Sequence, residues 1–193
     1  MADQLTGLLS PFLRSRRIAA VEPFLGQGPL LDIGCGTGTL AHHVNSTRYL
    51  GVDQDEESIA IAKIEFPTHR FLTLTEFNQS PNENHFERIA GLAVIEHVDD
   101  PQKWLAWLRT LLTPAGQIVL TTPHPSIRGV HEFGGHIGLF SREGAMEHQE
   151  LINRRRMIQL TETSGFRIKY FRRFLSGCNQ IFVLEPTEIR TEE

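Results

Sequence analysis

The segment Asp32-Ile33-Gly34-Cys35-Gly36-Thr37-Gly38 combines residue types and spacing that point to chemistry. Three glycines at alternate positions let the backbone turn sharply and come within contact distance of a ligand. A helix expected over about 38–45 would aim its free N–H groups at the same ligand. Fifteen residues beyond Gly38 stands Asp53, in the run YLGVDQD. That spacing suits a carboxylate that accepts hydrogen bonds from two ribose hydroxyls. Thr39 occupies the position where the dinucleotide fingerprint GxGxxG needs its third glycine. The pattern therefore favours a ligand carrying a ribose and an amino acid over one with a pyrophosphate, and it disfavours a nicotinamide oxidoreductase. The competing reading is a tight strand-to-helix turn with a capping aspartate. Loop and distant acid together weigh against it. Cys35, between two glycines, reads as a small filler beneath the loop rather than as a nucleophile.

Proton transfer at neutral pH suits histidine, and the chain has nine. Position sorts them. His97 follows Glu96 directly after an apolar run, RIAGLAVI, and His124 follows another, QIVLTT. Both runs read as strands that end at the edge where the glycine loop lies. His131, His136 and His148 sit in or after a connection over 123–147 that is rich in glycine and proline. A loop that long in a compact domain is usually functional or mobile. It reads as a lid, with Phe133, Ile137, Leu139 and Phe140 able to cover an apolar ligand. His97, His124 and His136 are the candidate bases, His97 first; a capping or packing role is its alternative. His42, His43, His69 and His85 read as surface residues.

These groups need a scaffold, and the apolar pattern supplies one. A helical segment within 1–25 can share Phe12, Ile18, Val21 and Leu25 on one face. Strands are expected over 29–33, 48–52, 69–74, 88–95 and 117–122. Asp55 caps a helix carrying Ile59, Ala62 and Ile64 that ends before Pro67. A second helix is capped by Asp99 or Asp100, opens on Pro101 and carries Trp104, Leu108, Leu111 and Leu112. A third spans about 148–164. Strands at 166–173 and 179–185 form a closing hairpin around Ser176-Gly177. Alternation of strand and helix predicts an α/β, Rossmann-like fold: a mostly parallel sheet, helices on both faces and a C-terminal antiparallel hairpin. Ligands of such sheets sit beyond the carboxyl ends of the strands, near the point where strand order reverses.

Composition narrows the rest. The 193 residues suit one domain over 1–193, and 40% hydrophobic residues suffice for a core. Nineteen Lys and Arg against 23 Asp and Glu give a charge of -4, which argues against general affinity for nucleic acid. The runs Arg14, Arg16, Arg17; Arg154–Arg156; and Arg172, Arg173 read as solvated faces. Two cysteines make no disulfide framework, and no secretory signal or run of apolar residues long enough for a bilayer is visible. A cytoplasmic protein without membrane insertion is expected, and no motif specifies an oligomeric state.

In order, LLDIGCGTG, GVDQD, AVIEHVDDP, LLTPAGQIVLTTPHP and the final GF…NQIFVLEP resemble the successive motifs of class I S-adenosylmethionine-dependent methyltransferases. The likeness runs from about residue 15 to 185 and is greatest to the subgroup holding the ubiquinone-biosynthesis O-methyltransferases. It implies a seven-stranded sheet with the last strand antiparallel and inserted beside the sixth. It implies S-adenosylmethionine as cofactor, with Asp32 and Gly34 to Gly38 at the methionine part and Asp53 at the ribose. Cys35, Gln54 and Ala93 complete the expected cofactor-binding set. The family's acid after the third strand is replaced by LTLTEF, so Thr75 or Glu76 would have to serve the adenine, with Phe77 in the core.

The Glu96-His97 pair also resembles a metal-binding variant of the family. Ala93 stands where that variant has a further Glu, so no metal centre is expected. Methyl transfer mainly requires alignment of the acceptor, plus a base for a weakly acidic hydroxyl. The expected acceptor is a small or medium-sized molecule, methylated at oxygen. A tRNA-modifying methyltransferase and a non-catalytic S-adenosylmethionine-binding module are the alternatives.

Overall fold

Local signals start most of the helices. In the computed structural model, which describes residues 10–80, 85–125 and 152–187, the Asp55 carboxylate caps α2 (Glu56–Glu65) by accepting from Ser58 N at 3.3 Å. Asp100 caps α4 (Pro101–Leu111) through Lys103 N at 3.0 Å, and Asn153 caps α5 (Arg154–Ser164) through Arg156 N at 2.9 Å. α1 covers Ser10–Val21, followed by a 3-10 turn at Glu22–Phe24. α3 (Leu74–Gln79) escaped the sequence reading although its signature is present. Thr73 and Glu76 form a reciprocal capping box, Glu76 N to Thr73 Oγ1 at 3.1 Å and Thr73 N to Glu76 Oε2 at 2.7 Å.

Seven strands form one sheet: β1 (Leu30–Ile33), β2 (Tyr49–Asp53), β3 (Arg70–Thr73), β4 (Phe86–Leu92), β5 (Leu112–Pro123), β6 (Phe166–Phe174) and β7 (Asn179–Pro186). Their order is β3-β2-β1-β4-β5-β7-β6. The first five pair in parallel, while β7 runs antiparallel to both β5 and β6. This is the Rossmann-like sheet expected, with the order reversing between β1 and β4. Helices cover both faces. α3, α4 and α5 pack with Leu31, Ile89, Leu120 and Phe182, while α1 and α2 pack with Leu30, Ala90, Val119 and Ile181 on the other side. β1 is buried along its whole length, so its carboxyl end opens where both layers meet.

Several expectations change. Residues 38–45 form no α-helix but a 3-10 turn at Thr39–His43, because Gly38 enters it left-handed (φ 81) and Val44 leaves it extended. β4 stops at Leu92 rather than 95, where Ala93 takes φ 59 and a 3-10 turn follows at Ile95–His97. β5 begins at Leu112, five residues earlier than expected. Phe12 and Ile64 are 54% and 82% exposed and do not join the core. The connection over 123–147, expected to be a lid, lies from 126 onward outside the described residues, together with His131, His136 and His148. Among the described residues no helix is long and apolar enough to cross a membrane.

Candidate cofactor and acceptor site

Where β1 ends, the glycine loop is tied to the strand beside it. Gly34 N and Cys35 N both donate to Val52 O, at 2.8 and 3.1 Å, and Gly38 N closes the turn onto Cys35 O at 3.0 Å. The Asp53 carboxylate finishes the loop. Its Oδ2 accepts from Gly36 N at 2.7 Å and its Oδ1 from Asp55 N at 3.0 Å. Loop and acid, separated in sequence, are thus one hydrogen-bonded unit at the switch point of the sheet.

The glycines are not equivalent. A Cβ on Gly34 would strike Val94, and one on Gly38 would lie 2.8 Å from the Phe71 ring. Both therefore serve close packing. Gly36 has φ 53, and a Cβ there would meet nothing within 4 Å. Backbone held left-handed against open space is the cradle a ligand needs. Cys35 is half-buried, with its sulfur 3.0 Å from where a Cβ on Gly51 would sit. Burial, then the Asp32 and Asp53 carboxylates, push its thiol well above the ordinary range. It packs beneath the loop and is no nucleophile.

Asp32 is 2% exposed. Its Oδ2 accepts from the Tyr49 hydroxyl at 2.7 Å, and its Oδ1 has no partner. Burial, opposed by the Tyr49 bond and aided by Asp53, raises its pKa to about 7. In the unfolded chain an Asp titrates near ~4. The folded state therefore holds the proton more tightly. This contribution to stability is complete below about pH 4 and is lost as pH rises through about 7. Asp32→Asn should remove that loss. Thermal melts from pH 4 to 8, without cofactor, should show the wild-type melting temperature falling relative to the variant, by an amount on the order of a few kcal/mol in stability. Parallel curves for the two proteins would contradict the assignment.

Across the switch point, Ala93 N donates to Thr121 O at 2.9 Å while its own φ of 59 turns the chain out of β4. A left-handed non-glycine residue costs about 1–2 kcal/mol, a strain typical of functional edges. The turn that follows buries Glu96, 3% exposed, and leaves His97 exposed. Burial raises the Glu96 pKa, against its own backbone, His97, Arg17 and the Thr122 hydroxyl. His124, half-buried after β5, is anchored by its backbone N–H to Cys178 O at 2.9 Å and its Nδ1 lies 2.9 Å from Arg173 Nη2. Burial and then the Arg173 charge lower its pKa, which favours a neutral ring accepting at Nδ1.

Asp32, Gly34 to Gly38, Asp53, Ala93, His97 and His124 thus meet at one edge. Gln54 is exposed at the tip after β2. Glu76 is engaged by its own helix cap and Phe77 is buried in the core. Sequence reasoning missed Arg14 and Arg17. Half-buried on α1, they bridge the edge: Arg14 Nη1 donates to Thr39 Oγ1 at 3.1 Å and Arg17 Nε to Asn179 Oδ1 at 3.2 Å. Their i, i+3 spacing on one helix was the available signal. Among the described residues no group of three or more His, Cys, Asp and Glu could hold a metal ion. The open space at Gly36 and the unpartnered oxygen of Asp32 fit a cofactor carrying polar donors, as S-adenosylmethionine does.

A family model described as a methyltransferase domain matches residues 7–170. Ubiquinone biosynthesis O-methyltransferase of Aeromonas salmonicida is 22% identical over 152 residues, 72% of this chain and 63% of that protein. The same-named protein of Cereibacter sphaeroides is 32% identical over 114 residues, 55% of this chain and 45% of its own length. The chain thus spans less than two thirds of these relatives. A TehB-like SAM-dependent methyltransferase from Corynebacterium glutamicum shares the fold at TM-score 0.62 and 18% identity, covering 91% of this chain and 88% of that one. With a domain match over most of its length, a seven-stranded sheet of the expected order and the glycine loop locked to Asp53, the chain belongs to the methyltransferase-domain family, in the class I S-adenosylmethionine-dependent group.

Proposed function

We propose that this protein transfers the methyl group of S-adenosylmethionine to the oxygen of a small or medium-sized acceptor. The observation that carries the reading is the Gly36–Asp53 unit at the switch point, open on the side where a Gly36 side chain would be. Asp32 and the loop Gly34 to Gly38, with Cys35 beneath it, hold the methionine end. Asp53 and Gln54 take the ribose, and Ala93 forms the wall on the β4 side. When bound, the cofactor supplies a methyl group already activated by its sulfonium. The chain's part is to bind, orient and exclude water.

His97 receives the acceptor's proton. Its exposure lets it pass that proton on to solvent, and the turn that carries it follows Val94, which packs against Gly34 of the loop. His124 is the second candidate; His136 lies outside the described residues. Oxygen as the acceptor atom is supported by the relatives named as O-methyltransferases. A cytoplasmic setting is consistent with two free cysteines.

S-adenosylhomocysteine should bind, and Asp53→Ala should weaken it by about 1.5–3 kcal/mol, the worth of charge-assisted bonds to ribose hydroxyls. Part of that loss would come through the Gly36 N–H, which Asp53 also holds. Titration calorimetry reads the affinity, and wild-type affinity in the variant would remove Asp53 from the site. Transfer of a radiolabelled methyl group to a panel of hydroxylated metabolites tests the reaction. Turnover confined to amine or carbon acceptors would overturn the choice of oxygen.

A further inference from the structure

Among the described residues, four buried side-chain atoms have no hydrogen-bond partner: Asp32 Oδ1, Glu96 Oε2, Thr121 Oγ1 and Gln180 Oε1. Asp32 belongs to the cofactor loop. The other three come from the turn after β4, the carboxyl end of β5 and the amino end of β7. Thr121 lies opposite Ile181 and Thr122 opposite Gln180, so the Thr121 side chain is on the α1 face of the sheet and that of Gln180 on the α5 face. Leaving a buried polar atom unpaired costs about 1–3 kcal/mol. Glu96 Oε2, in the turn at the carboxyl edge of the sheet, points to a group that completes it.

Arg17 of α1 reaches the same edge. Its Nε is tied to Asn179 at the start of β7, and the hydrogen bonds of its side chain stop there, leaving both terminal amino groups unspent. The Arg17 and Glu96 charges influence each other, yet no ion pair joins them. Opposite charges withdrawn from water without contact are costly. A molecule between them that donates to one and accepts from the other removes the cost. Arg14, one turn away on α1, and Arg173 add positive charge at this mouth. Arg17 is anchored on β7, three places along the sheet from β1, so it stands on the far side of the glycine loop; Arg14 is the arginine that reaches the loop side.

We propose that Arg17 and Glu96, with Asn179 holding the guanidinium, form the acceptor subsite, and that it takes a hydroxylated carboxylic acid. While bound, the acceptor's hydroxyl donates to Glu96 Oε2, its one proton leaving to His97 only during methyl transfer, and its carboxylate accepts from the terminal amino groups of Arg17. This rests on the methyltransferase reading above.

The test uses the full chain saturated with S-adenosylhomocysteine and titrated calorimetrically with 2-, 3- and 4-hydroxyphenylacetate, their methyl esters and phenylacetate. The rigid rings hold hydroxyl and carboxylate at three different separations. At least one hydroxy acid should bind about tenfold more tightly than both its ester and phenylacetate. Arg17→Met should abolish the preference for acid over ester, and Arg17→Lys should restore it in part, since charge is kept and the fork is lost. Glu96→Gln should abolish the preference for hydroxyl over hydrogen. All three variants should bind S-adenosylhomocysteine within about twofold of wild type. Equal binding of acids and esters, or no binding by the whole panel while S-adenosylhomocysteine still binds, overturns the subsite and leaves the methyltransferase reading intact. Lost S-adenosylhomocysteine affinity in Arg17→Met, with an unchanged melting temperature, assigns Arg17 to the cofactor instead. Failure of the wild type to bind S-adenosylhomocysteine overturns both.

Discussion

Gly36→Val should cut affinity for S-adenosylhomocysteine by more than about a hundredfold while the protein remains folded. Two features of the loop lead to this. The first is the backbone: Gly36 has φ 53, a region in which a β-branched residue is a true outlier. The loop would have to shift, and the Gly36 N–H that meets Asp53 at 2.7 Å would shift with it. Both halves of the cofactor site would then be lost in one substitution. The second is the space: a side chain at Gly36 meets no protein atom within 4 Å, so it would project into the open space proposed for the cofactor. The same emptiness spares the fold, since the variant overpacks nothing and bears only local strain of about 1–3 kcal/mol. Gly36→Ala should fall between the two proteins. Calorimetry reads the affinity and circular dichroism the fold. A folded valine variant with wild-type affinity would show that the loop does not hold the cofactor.

His97→Ala should slow methyl transfer by about 10²–10⁴, the usual worth of a positioned general base, and leave S-adenosylhomocysteine affinity nearly unchanged. The site separates the two effects. His97 leaves the turn after β4 on its exposed side, whereas the proposed cofactor contacts come from the β1 loop, the end of β2 and Ala93. An exposed side chain also carries little of the fold, so the melting temperature should hardly move. The measurement is single-turnover transfer with saturating acceptor, which separates chemistry from product release. Full turnover would transfer the role to His124, whose Nδ1 faces Arg173. A large loss of S-adenosylhomocysteine affinity would instead make His97 part of the cofactor wall.

Much of the scaffold was legible because its signals are local. Pro101 behind Asp100, Asp55 ahead of an apolar stripe and the short apolar runs of β1 and β2 each act within a few residues, and each stands where periodicity placed it. The misses have local causes too. α3 is six residues long and too short for periodicity to show, so only its Thr73–Glu76 capping box could have revealed it. The helix expected after the glycine loop gives way to a 3-10 turn because Gly38 enters it left-handed at φ 81 and Val44 leaves it extended.

By itself the sequence determined the glycine loop, the acid after β2, the alternation of strand and helix and hence the family, because these depend on residue type and short spacing. Tertiary structure alone decided which of two neighbours, Glu96 or His97, is buried. The choice depends on the left-handed step at Ala93 and on how β5 and β7 pack behind it. It also turned Arg17 from one of a basic run into a half-buried group joined to Asn179, 162 residues further along the chain. Burial and charge at a site are sums over groups that the chain brings together only by folding. No window of sequence contains them all.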